Sequence, residues 1–213
     1  MAWSGTMNEP AIVFVVDDDP AARESVCALV ESMGLKFAAF PSAEAFLAAR
    51  RADVAGCVVA DLSMEGMSGL DLQRKLADSG DHIPIVVISA VASVPAAVRA
   101  MQEGAVTLLE KPCGSQELWD AISTAIQRDA RARERHRQQH RVAERLATLT
   151  VDERRVLDML VTGQPNKTIA LRFDVSQRTI ESRRRSVFKK MGAGNLAELV
   201  TMLARGNALD DQP

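Results

Sequence analysis

Five residues stand where strands are expected to end: the pair Asp17 and Asp18, then Asp61, Ser89 and Lys111. Carboxylates brought together repel one another, and one pKa rises unless a cation neutralises them. A hard divalent ion with oxygen ligands meets that need. Mg2+ suits a site with few protein ligands and additional phosphate oxygens. Any single Asp at a strand end reads first as a strand terminator or a helix cap, and Asp19-Pro20 reads as such a helix start. Residues of these types at the expected ends of strands one, three, four and five are harder to explain in that way.

The elements that must position them follow from hydrophobic patterning. Short apolar runs at 11–16, 35–39, 57–60, 83–88 and 106–109 read as buried strands. Helical patterns alternate with them, at 20–33, from Ser42 to about 52, from Ser68 to about 77, and from Ser93 to Gly104. Five βα units with continuous apolar strands predict a doubly wound, five-stranded parallel sheet covered by helices on both faces. With strand order 2-1-3-4-5, strands one and three are neighbours at the switch point. Ligands bind beyond the carboxyl ends there, where the carboxylates, the hydroxyl and the ammonium converge.

The net charge of −2 conceals an asymmetry. Residues 1–112 carry 15 acidic against 8 basic side chains, and residues 113–213 carry 13 against 18. An acidic half joined to a basic half is the charge pattern of a regulator or enzyme fused to a nucleic-acid module. No apolar stretch approaches the roughly 18 residues of a membrane span. The first ten residues lack a basic start followed by an apolar run, so no secretory signal is read there. Three separated cysteines, Cys27, Cys57 and Cys113, form no pairing framework and fit a reducing compartment, so a cytoplasmic location is expected. His136 and His140 share a helical face, but their Arg and Gln neighbours favour a solvated surface over a metal site.

Beyond Ser115 a long helical pattern begins. Leu118, Ile122, Ala125 and Ile126 give it an apolar face, and the Arg-rich stretch after Gln127 shows no apolar seam. A solvent-exposed helical linker is expected over 127–147. Four short helical patterns follow from Thr150. The third, Gln177–Met191, is strongly basic, with six Lys and Arg from Ser176 to Met191 against Glu181 alone. Ile180, Val187 and Met191 are expected to be buried, which turns Glu181, Ser182 and Arg185 outward near its N-terminal half. Recognition helices touch base edges at that end. Arg185 suits guanine and Glu181 suits cytosine N4. Lys167, Arg178, Thr179, Arg184, Lys189 and Lys190 are better placed for phosphates, which position without specifying.

The motifs VVDDDP, D-L-S-M-E-G-M-S-G from Asp61 to Gly69, VISA and EKPC together resemble the receiver domain of two-component response regulators. The resemblance implies that Asp61 accepts a phosphoryl group from a sensor histidine kinase. It also implies that Asp18, Asp61 and the backbone carbonyl of Ser63 bind Mg2+ directly, with Asp17 acting through water. Ser89 and Lys111 would sense the phosphoryl group. An aspartyl carboxylate is a competent nucleophile for acyl-phosphate formation. Two departures stand out. Met64-Glu65 replaces the usual Met-Pro, and Leu108 occupies the switch position where the family commonly has an aromatic residue.

Residues 150–205 resemble the LuxR-type helix-turn-helix of the NarL/FixJ subgroup. T-V-D-E-R-R-V-L from Thr150, N-K-T-I-A from Asn166, V-S-Q-R-T-I-E from Val175 and K-K-M-G from Lys189 carry the likeness. It implies promoter DNA as a partner, and a homodimer in the active state. The expected organisation is a receiver over 1–126, a helical linker over 127–147, and an all-α, four-helix DNA-binding domain over 148–213.

A non-enzymatic, phosphorylation-gated transcription factor is the leading expectation. A phosphorylation-independent regulator is the alternative that Glu65 and Leu108 raise. An Mg2+-dependent aspartyl phosphatase lacks its Asp-x-Asp-x-Thr/Val pattern here and leaves residues 150–205 without a role. A small-molecule quorum sensor is disfavoured by the absence of Tyr and by only two Trp.

Overall fold

The computed structural model describes residues 11–91 and 93–207. The signal-peptide reading of the first ten residues lies outside them. The chain divides into two compact units, one ending at Ala132 and one beginning at Arg133.

The first unit is built on five strands: β1 (Ile12–Val16), β2 (Lys36–Phe40), β3 (Gly56–Asp61), β4 (Ile85–Ser89) and β5 (Thr107–Glu110). All pair in parallel, in the order β2-β1-β3-β4-β5, as expected. Every residue of β3 and β4 is buried, which is why these strands read as unbroken apolar runs. Alternate strand residues face two separate cores. Phe14, Val16, Val58, Ala60, Ile85 and Val87 pack on one side; Val13, Val15, Cys57, Val59, Val86 and Ile88 pack on the other. Registers pairing Val16 with Ala60 and Asp61 with Ile88 bring the ends of β1, β3 and β4 to one edge.

Helices α1 (Pro20–Ser32), α2 (Ala43–Ala49), α3 (Gly69–Asp78) and α4 (Val94–Gln102) connect the strands. Asp19, Ser42, Ser68 and Ser93 accept N-cap hydrogen bonds at their starts. Helix α2 stops about three residues before the sequence pattern suggested. Arg50 there turns extended and buries its guanidinium, bonding Asp81 Oδ2 at 2.8 Å and the Val54 carbonyl at 2.8 Å. That long-range ion pair outweighs the local alanine-rich helix preference.

Helix α5 (Ser115–Ala147) carries Leu118, Ala121, Ile122 and Ala125 into the first unit's core. The solvent-exposed linker expected over 127–147 is corrected at both of its ends. Asp129 is buried and accepts a hydrogen bond from the Gly56 amide at 3.0 Å. Within the second unit, Val142 is buried and Leu146 packs against that unit's core. Isolated apolar residues flanked by arginines make no periodic seam, so the pattern missed them.

The second unit continues with α6 (Val151–Val161), α7 (Asn166–Phe173), α8 (Gln177–Met191) and α9 (Leu196–Asn207). Val156, Leu160, Ile169, Ala170 and Ile180 form one core, and Leu157, Val187, Met191, Ala193 and Leu199 form another. Asp174 sits in the left-handed region (φ 52°) and makes the tight turn between α7 and α8.

Gly69 shows how tightly the first unit's loops are fitted. A Cβ there would lie 2.5 Å from the Asp61 carbonyl oxygen. Gly69→Ala is expected to lower the unit's stability by about 1–3 kcal/mol, since backbone on both sides must shift. A denaturant titration showing an unchanged midpoint would contradict this contact.

Candidate functional site

The C-terminal ends of β1 and β3 place Asp17, Asp18 and Asp61 together. One carboxylate oxygen from each lies within 4.8 Å of the others. Asp17 and Asp61 are buried and Asp18 is exposed. Lys111, just past β5, puts its ammonium 2.7 Å from Asp17 Oδ2 and 2.7 Å from Asp61 Oδ1. The second oxygen of Asp61 accepts from the Ser63 amide at 3.0 Å. Asp18 Oδ2 accepts from the Glu65 amide at 2.8 Å, and Asp17 Oδ1 from the Asp19 amide at 3.0 Å. Glu65 therefore contributes its backbone, while its side chain is exposed.

Charge in this pocket is unbalanced. Three carboxylates face one ammonium. Burial pushes the Asp17 carboxyl up from its ordinary range; Lys111 draws it back, and Asp61 pushes it up further. Burial works to lower the Lys111 pKa, but its bonds to Asp17 and Asp61 prevail and hold it above the ordinary value. The ammonium thus stays charged. Hard oxygen donors with negative charge in excess fit a divalent cation such as Mg2+.

Ser89, at the end of β4, is buried. Its hydroxyl donates to the Val91 carbonyl at 3.0 Å and accepts from the Val91 amide at 3.2 Å. The Lys111 amide donates to the Ser89 carbonyl at 2.7 Å, so hydroxyl and ammonium are tied to adjacent strand ends. Leu108 is half-buried against the first core, paired with Val87 across the sheet. Cys113 packs against the other core, and burial raises its thiol pKa. Arg23 was not anticipated: its Nη1 donates to the Asp17 carbonyl at 2.6 Å. A lone Arg on an amphipathic helix carries no sequence signal for such a contact.

The basic helix α8 buries Ile180, Val187 and Met191, as the pattern required. Ser176 caps it by accepting from the Thr179 amide at 3.1 Å, and the two hydroxyls lie 2.9 Å apart. Glu181, Ser182 and Arg185 are exposed on one side of its first two-thirds. Lys167, Arg178 and Lys189 are also exposed. The other cations are engaged within the unit. Arg183 pairs with Asp152 at 2.6 Å. Arg184 donates to Asn166 Oδ1 at 3.2 Å and lies over the Phe188 ring.

Lys190, expected at a phosphate, is engaged within the unit. Its ammonium bonds Glu153 Oε2 at 2.6 Å and the Thr148 carbonyl at 3.0 Å. Glu153 also accepts from Ser186 Oγ at 2.6 Å and from the Thr150 amide at 2.7 Å. Thr150 and Glu153 form a capping box, a T-x-x-E signal present in the sequence that marks Glu153 as structural.

Two families match the chain. Residues 13–123 match the response regulator receiver domain, and residues 147–203 match the bacterial regulatory proteins of the luxR family. Nodulation protein W of Bradyrhizobium diazoefficiens is 41% identical over 90% of this chain and 85% of its own. The transcriptional regulatory protein FixJ of Azorhizobium caulinodans is 41% identical over 92% of this chain and 93% of its own. Among solved structures, the response regulator StyR superposes with a TM-score of 0.84 at 37% identity, covering 92% of this chain and 99% of that one.

The Glu153 network has a measurable pH signature. Lys190, then Ser186 and the Thr150 amide, hold this carboxyl at about 2 against an ordinary 4.5. A depressed folded pKa gives stability that is complete above about 4.5 and is lost as pH falls toward about 2. The stability gap between wild type and Glu153→Gln should therefore narrow across that window in urea melts. A gap independent of pH would contradict the assignment.

Proposed function

This chain belongs to the response regulators that join a receiver domain to a LuxR-type DNA-binding domain, the FixJ type, and from that premise we propose the roles of its individual residues. It is a phosphorylation-controlled, DNA-binding transcriptional regulator. Asp61 is the phosphoacceptor. The observation that carries this is its placement: a buried carboxylate at the end of β3, one oxygen on Lys111 and the other on the Ser63 amide, flanked by Asp17 and Asp18.

A carboxylate oxygen of Asp61 attacks the phosphorus of a phosphohistidine on a partner sensor kinase. The new O–P bond forms, the N–P bond breaks, and the imidazole keeps the electron pair. Lys111 is placed to stabilise charge on the transferred oxygens. Asp17, Asp18 and Asp61, with the Ser63 backbone carbonyl, would hold Mg2+. Bound there, the ion supplies positive charge that offsets the developing negative charge on phosphoryl oxygens.

The acyl phosphate carries nearly two negative charges where the carboxylate carried one, and it brings phosphoryl oxygens as acceptors next to Ser89. The Ser89 hydroxyl then has a stronger acceptor than the Val91 carbonyl. Exchanging that partner loosens the loop leading into α4. Val94, Val98 and Met101 lie along one side of α4 at helical spacing and are 78%, 50% and 49% exposed. An apolar stripe of this kind fits a second copy of the chain, so phosphorylation favours a homodimer. Leu108 would follow the Ser89 shift as an aliphatic side chain, without the ring rotation of an aromatic switch.

In the second unit, Glu181, Ser182 and Arg185 read base edges in the major groove, and Lys167, Arg178, Thr179 and Lys189 hold phosphates. Arg184 and Lys190 act chiefly by bracing α8. Among the described residues no helix is long and apolar enough to cross a membrane; a promoter-binding role supports a cytoplasmic location.

The experiment is a fluorescence-anisotropy titration of a duplex selected by the phosphorylated protein. A phosphodonor should tighten binding for wild type and leave Asp61→Asn unchanged. An equal response in both, or in neither, would favour the phosphorylation-independent alternative. On the same duplex, Arg185→Ala should cost about 1–3 kcal/mol and relax preference at one base pair. Lys189→Ala should keep preference and reduce the salt slope by about one. A uniform loss for Arg185→Ala, or an unchanged slope for Lys189→Ala, would remove that residue from its assigned contact.

A further inference from the structure

The last carbonyls of a helix have no partner within it and form the negative end of its dipole. In α8 the Met191 carbonyl is taken by Arg145, whose Nη1 donates at 2.7 Å. Arg145 belongs to the last turn of α5, outside the residues that match the DNA-binding family. Its guanidinium lies directly against Gly192, the left-handed C-cap of α8 (φ 66°). A Cβ on Gly192 would come within 3.1 Å of Arg145 Nη1. Three residues later, the Thr148 carbonyl receives the Lys190 ammonium. The segment that presents these groups is itself seated. Val142 is buried, and a Cβ on Gly206 of α9 would meet its Cγ1 at 3.0 Å. Leu146 packs with Leu157, Val187, Met191 and Leu199.

We infer that Arg145 is a positioning residue for DNA reading: it pins the C-terminal end of α8 and so sets where Glu181, Ser182 and Arg185 meet the base edges. This rests on the reading of α8 as the recognition helix. The charge-assisted bond fixes α8 along its axis, because a rigid helix carries displacement at one end to the other. Bidentate base recognition tolerates only about 0.5 Å of misplacement. Phosphate contacts made by long, flexible Lys and Arg side chains tolerate more. Loss of Arg145 therefore weakens discrimination between sequences more than it weakens affinity for DNA in general.

The test uses the full chain treated with Mg2+ and a small phosphodonor. Binding is measured to a duplex selected by the wild type and to a scrambled duplex of equal length and composition. Arg145→Gln is expected to reduce the preference for the selected duplex roughly tenfold, the order that a lost charge-assisted hydrogen bond carries. Binding to the scrambled duplex should change by less than about twofold, and Arg145→Lys should restore most of the preference. Hydrogen exchange provides a second readout. In Arg145→Gln the amides of Val187–Met191 should exchange faster, while those of Ile169 and Ile180 stay protected. Equal loss on both duplexes, unchanged preference, or general loss of protection across α7 and α8 overturns the role. Lost preference in Arg185→Ala with full preference in Arg145→Gln overturns the Arg145 role alone. Equal binding of both duplexes by wild type overturns the reading of α8, and this role with it.

Discussion

Holding three carboxylates together against one ammonium is the constraint around which the first unit is arranged. Asp17 and Asp61 are buried, and Lys111 bonds both at 2.7 Å. A lysine reaches two acids only if β5 ends beside β4, and the acids meet only if β1 and β3 are adjacent. The parallel order β2-β1-β3-β4-β5 provides both. Gly69 lets α3 begin against the Asp61 carbonyl, and the amides of Asp19, Ser63 and Glu65 each supply a hydrogen bond to one of the three acids. Charge is still in excess, which suits the pocket to a divalent cation.

The second unit handles charge in the opposite way. Its basic helix carries six Lys and Arg, and the structure sorts them. Arg183, Arg184 and Lys190 are bonded to Asp152, Asn166 and Glu153. Arg178, Arg185 and Lys189 are exposed. The first group fixes the helix and the second faces solvent. Arg145 extends the bracing to the helix end, so the last turn of α5 works as part of the DNA-binding unit.

The strands, the α8 boundaries and the pocket constellation were legible in the sequence because they rest on local periodicity and on residue types at strand ends; the strand order came with the doubly wound fold they imply. The Arg-rich segment was legible only in part. Val142 and Leu146 are too few to make a stripe, and the buried Asp129 looks like any surface acid until the Gly56 amide is beside it. Lys190 illustrates the same limit. A lysine on a basic helix reads as a phosphate contact, and only the fold brings Glu153 to it. Pairings between long side chains distant in sequence are decided by packing, which no period reports.

The most direct measurement is the intact mass of the full chain after incubation with Mg2+ and a small phosphodonor, alongside Asp61→Asn. One phosphoryl adduct on the wild type, dependent on Mg2+ and absent from Asp61→Asn, is the predicted result. An adduct that persists in Asp61→Asn, or no adduct on a wild type that binds Mg2+, would contradict Asp61 as the phosphoacceptor.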